Sequence, residues 1–110
     1  MHYLQELKRI IEINSFTANA KGVNEVGTYF DAWLKELGYN VKLHKRTTIG
    51  HHHHYVSHHT QGEKLLLVGH LDTVFPPSSF EHFREDEQWV YGPGVCDMKG
   101  GNIVMLEALR

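Results

Sequence analysis

The chain has 110 residues, 41% apolar and 22% charged, with a formal net charge of −2, which suits one globular domain and excludes the basic footprint of a nucleic-acid or anionic-membrane binder. A single cysteine, Cys96, excludes an internal disulfide. No stretch approaches the ~20 apolar residues of a membrane span, and the polar, amphipathic start Met1 to Arg9 lacks a signal-peptide core, so a cytoplasmic, reducing location is the default expectation.

Leu4, Leu7, Ile10 and Ile11 recur at helical spacing and predict a first helix over residues 3–13. Residues 14–22 read as a loop. A second helix follows, with Val23, Val26, Phe30, Trp33, Leu34 and Leu37 on one buried stripe and Gly38 placed to end it in a left-handed turn. Residues 40–47 alternate as a half-exposed strand does, and 53–59 suggest another strand. Thr60 to Glu63 reads as a turn. Lys64 to His70 is a continuous apolar run, which predicts a strand covered on both faces. Pro76 to Ser79 breaks the chain into a loop, and Glu81 to Glu87 reads as a solvated loop face. Gln88 to Tyr91 is a short strand, and a third helix begins at Gly100 with Ile103, Val104, Leu106 and Leu109.

This alternation predicts an α/β fold, layered helix–sheet–helix around a mixed, partly parallel sheet, over 1–110 as one unit. The final residues lie inside a periodic helix without a stop signal, and a doubly covered strand needs more neighbours than the chain supplies. The expectation is a truncated domain.

Two segments suggest chemistry. The apolar run ends at Gly69-His70, and reactive groups of open α/β sheets gather at the carboxyl ends of strands. In extended backbone, residues two apart share a side. Asp72 can therefore fix the tautomer of His70 while the other imidazole nitrogen binds a metal. Gly92-Pro93-Gly94 and Gly100-Gly101 bracket Asp97 with sharply bending backbone. A carboxylate there can offer one oxygen to each of two cations about 3.5–4 Å apart, or it can simply cap the third helix. A phosphate site is not indicated, because both G-x-x-x-x-G-K-[ST] and G-x-G-x-x-G are absent.

Leu65-Leu66-Leu67-Val68-Gly69-His70-Leu71-Asp72-Thr73-Val74-Phe75-Pro76 resembles the first signature of the M20 family of zinc metallopeptidases. Tyr91-Gly92-Pro93-Gly94-Val95-Cys96-Asp97-Met98-Lys99-Gly100-Gly101-Asn102 resembles the second, most closely in its glutamate carboxypeptidase branch. Aminoacylases and acetylornithine deacetylases also belong to that family. The resemblance implies the N-terminal part of a zinc-exopeptidase-like catalytic domain that hydrolyses a peptide or N-acyl amino-acid amide bond. It implies two Zn2+ ions, with Co2+ or Mn2+ as substitutes. His70 would bind one ion, Asp97 would bridge both, and Asp72 would be the catalytic-site carboxylate that orients His70. A cis peptide at Asp97–Met98 is also implied. The general-base glutamate, the remaining ligands and the lid domain that makes the homodimer are expected beyond Arg110. The 110 residues alone are therefore expected to be inactive.

Cys96 reads as a small packed residue, and Lys99 as solvating its turn. Of the 10 histidines, six fall between His51 and His59. They suggest the alternative of a non-catalytic, His-rich metal-binding module or a structural remnant.

Overall fold

A computed structural model describes residues 2–59 and 61–110. Helix α1 is His2–Ile11, α2 is Ala20–Glu36 and α3 is Lys99–Leu109. Leu7, Ile10 and Ile11 of α1 meet Ile103 and Leu106 of α3, and Val26, Phe30 and Leu34 give α2 one core residue per turn. These residues form one buried cluster, in which Ile10, Ile11 and Val26 are fully enclosed. Removing such a side chain from water stabilises by roughly 1.5–3 kcal/mol each, so the three helices are held mainly by this shared stripe. Trp33 is half-buried and meets Phe30 edge to face at 5.1 Å. Arg110 ties α3 to α1 through a two-pronged ion pair with Glu6, at 2.6 and 2.7 Å.

Asn19 starts α2 by accepting the Gly22 N–H at 3.2 Å. Gly38 ends it at φ +89°, where a side chain would be strained. The chain then enters β1 (Asn40–His44), which pairs antiparallel with β2 (His52–Val56) and lies against α2. A second, shorter hairpin joins β3 (Arg84–Glu85) to β4 (Val90–Tyr91). Residues 81–87 are thus not wholly loop. The Asp86 carboxylate accepts the Gln88 and Trp89 N–H groups at 2.9 and 2.8 Å, which closes the turn between the strands. Thr60, part of the predicted turn, lies outside the described residues, whereas Gly62 sits at φ +86°.

The α/β class holds, with small antiparallel sheets among the described residues. The expected doubly covered strand at 64–70 does not form. Leu65 is 86% exposed, Leu66 80% and Val68 74%, and the run joins neither sheet. An apolar run becomes a buried strand only when neighbours pair its backbone and cover its faces. Among the described residues no segment does either. Just after the run, one parallel bridge joins Phe16 to Thr73. No helix of the described residues is long and apolar enough to cross a membrane.

Candidate metal centre

The loop after α1 holds the first motif in place. The Thr73 N–H donates to Ser15 O at 2.9 Å, and the Thr17 N–H donates to Thr73 O at 3.1 Å. The buried Ser15 hydroxyl donates to Leu71 O at 2.9 Å. This short ladder fixes 71–73 in extended form, so Asp72 and His70 come to one side, as two-residue spacing requires. Thr17 also donates its hydroxyl to Asp72 Oδ2. Asn102, on α3, donates its side-chain N–H to His70 O at 2.7 Å. That contact is the reason for Gly69, since a Cβ there would lie 2.4 Å from Asn102 Oδ1.

His70 sits between two carboxylates. Its Nδ1 is 3.1 Å from Asp72 Oδ1, and its Nε2 is 2.8 Å from Asp97 Oδ1. Partial burial on its own would lower the His70 pKa, but the hydrogen bonds to Asp97 and Asp72 outweigh it and raise the value above the ordinary imidazole range. The Asp97 side chain is 81% exposed, so one face of the site opens to solvent.

Asp97 is not the cap of the third helix. The N-cap position is Met98, and no side chain caps it. The Asp97 carboxylate is therefore left facing His70. The Asp97–Met98 peptide is cis.

The donor chemistry fits a metal ion. An imidazole oriented through Nδ1 by a carboxylate offers Nε2, and Asp97 offers an oxyanion beside it. His70 and Asp97 would hold the ion. Among the described residues, no three His, Cys, Asp or Glu side chains converge on one point. A cavity of about 110 Å3, lined by Ile11, Ser15, Thr73 and Lys99 among others, leaves His70, Asp72 and Asp97 outside its walls.

The family described as peptidase family M20/M25/M40 matches residues 66–110, which contain both carboxylates and His70. Carboxypeptidase G2 of Pseudomonas sp. (strain RS-16) is 32% identical over 97% of the chain and 27% of its own length. Acetylornithine deacetylase of Klebsiella pneumoniae (strain 342) is 33% identical over 71% of the chain and 22% of its own length. The chain belongs to the M20 peptidase family. It spans about a quarter of the length of these curated M20 relatives.

Two residues of this M20 chain behave differently from their sequence reading. Lys99 does not solvate the turn. It is fully buried, and its Nζ donates to Ile10 O at 2.7 Å and Ile13 O at 2.9 Å. A helix leaves its last carbonyls unpaired, and from the first turn of α3 Lys99 serves Ile10 O at the end of α1 together with Ile13 O just beyond it. Burial pushes its pKa down to about 8. Cys96 is exposed rather than packed, because its turn projects with Asp97 from the helix start. Ser15, Thr17 and Asn102 also support the site. Asn102 closes the second motif, so sequence contained a signal for it. Ser15 and Thr17 lie some 55 positions from their partners in an unremarkable loop, which gives no such signal.

Proposed function

We propose that the chain is the N-terminal part of a metal-dependent hydrolase of peptide or N-acyl amino-acid amide bonds. The observation behind this reading is the line Asp72–His70–Asp97, with a carboxylate oxygen on each imidazole nitrogen. Membership of the M20 family supports it, as do relatives named as a carboxypeptidase and a deacetylase.

Asp72, held from behind by Thr17, would accept the Nδ1 proton and so leave Nε2 to ligate an ion in place of its hydrogen bond to Asp97. His70 and Asp97 would hold the ions. Zinc pairs, or cobalt or manganese in their place, polarise an amide carbonyl and lower the pKa of water. The Asp97 carboxylate and Asp72 supply the negative charge that favours dications over substrate carboxylates at this point. The general base and the remaining donors come from other segments of the intact enzyme. In the same reading, residues 64–70 take the covered position in a layered, partly parallel sheet that those segments complete. A homodimer, a cytoplasmic location and a small peptide or N-acyl amino-acid substrate belong to the proposal.

The test uses the intact enzyme, metal analysis and a panel of C-terminal dipeptides and N-acyl amino acids. His70→Ala and Asp97→Ala are expected to remove metal and turnover together. Asp72→Asn is expected to keep metal more weakly and to lose roughly 10–100-fold in activity, as loss of an orienting partner does. Full activity in His70→Ala would overturn the proposal.

A further inference from the structure

The histidine-rich stretch has no part in the His70 site, and the hairpin register sorts its members. Strand pairing sets His44 opposite His52 and Lys42 opposite His54. Because side chains alternate, His44, His52 and His54 share the outward face with Asn40, Lys42 and Val56, and all are exposed. His53 points the other way. Its ring is buried against α2, with Nδ1 2.7 Å from Asp31 Oδ1. His51 is engaged too, since its Nδ1 accepts the Arg46 N–H at 2.9 Å. The stretch therefore divides into an inward structural residue, one ring bound to backbone, and an outward group that includes His44 from the other strand.

We propose that the outward face of the β1–β2 hairpin is a second metal site, taking a borderline divalent ion such as nickel, copper or zinc on His44, His52 and His54. Directly opposed residues of an antiparallel pair have Cβ atoms about 4.5–5.5 Å apart, within reach of two imidazoles on one ion. His44 and His54 already stack across the strands, with ring centroids 6.3 Å apart and planes 27° from parallel. The rings are not yet turned around a common point. Turning them gives up the His44–His54 stack but breaks no core contact, so the cost is side-chain entropy, that stack and the repulsion of the Lys42 ammonium on the same face. The donors of this face are imidazoles, with no carboxylate among Asn40, Lys42, His44, His52, His54 and Val56. That composition selects nickel, copper and zinc and leaves magnesium, calcium and manganese unbound, because those hard ions require oxygen ligands. Imidazole must be deprotonated to ligate, so acid displaces the ion.

This site is independent of the one at His70, and the experiment separates them. The full chain is titrated with nickel chloride by calorimetry, alongside H44Q/H54Q, H52Q, H58Q/H59Q and H70N. The H44Q/H54Q variant is expected to lose the nickel-binding event and H52Q to weaken it. H58Q/H59Q and H70N are expected to keep it. Unchanged binding in H44Q/H54Q, or loss in H58Q/H59Q or H70N, overturns the site. A second measurement needs no variant. Substoichiometric copper added to the unaltered chain should broaden the ring proton signals of His44, His52 and His54 before those of the other histidines. Broadening first at His58 and His59, or equally at every histidine, contradicts the proposal.

Discussion

A lysine with no exposed surface is costly unless its amine is paired, and Lys99 meets that condition with two backbone carbonyls rather than a carboxylate. A neutral amine still has two N–H groups, enough for both bonds. Its pKa is lowered from 10.5 to about 8 in the fold. The unfolded chain therefore binds more protons between those values, and stability rises as pH climbs from about 8 toward 10.5. Lys99→Met keeps the stem but leaves Ile10 O and Ile13 O unpaired, at about 1–3 kcal/mol for each group. Urea denaturation should show Lys99→Met less stable than the parent, with a deficit larger at pH 9.5 than at pH 7. A deficit that is constant or shrinks over this range would refute the account of Lys99. At this scale the sequence pointed to three residues that meet in space, because the two stretches resembling family signatures carry His70, Asp72 and Asp97. It did not contain Lys99's role. A lysine in a Gly-rich turn gives no sign that a distant helix end needs its donors.

The β1–β2 hairpin is fastened to α2 by one carboxylate. Asp31 Oδ1 receives the Tyr55 hydroxyl at 2.7 Å and lies 2.7 Å from His53 Nδ1. Burial, followed by the Asp31 hydrogen bond and charge, raises the Tyr55 pKa above its ordinary 10. The sign is that of a group stabilising in its protonated form. Its contribution is present below pH 10 and is lost above it. Tyr55→Phe should cost about 1.5–3 kcal/mol, the range for a hydrogen bond to a charged group, and should speed amide exchange in the hairpin more than in α1. Equal exchange in both elements would show that the clamp does not hold the hairpin. Helix positions and the hairpin strands were legible from periodicity. The run 64–70 was not, because its apolar pattern describes a covered strand and the cover is absent among the described residues. The ladder that joins 15–17 to 71–73 was also invisible, being formed by polar residues without periodicity.

Over the whole molecule, three helices share one core while an apolar edge stays open. Leu65, Leu66 and Val68, with Val74 at 74% exposure, present apolar surface next to unpaired backbone. Such an edge favours pairing with other chains. The 110-residue chain should therefore associate as its concentration rises, and Leu66→Lys should reduce that association in sedimentation without loss of helix content. Equal association in Leu66→Lys would place the sticky surface elsewhere. Among the described residues, His70 and Asp97 face each other without a third donor. The most direct test of the metal-centre account is long-range 1H–15N NMR of the His70 ring in the intact enzyme during zinc addition. The account predicts that Nε2 moves to a metal-bound shift while Nδ1 keeps its proton toward Asp72. Saturating zinc with full hydrolytic activity and both His70 nitrogens unmoved would contradict it.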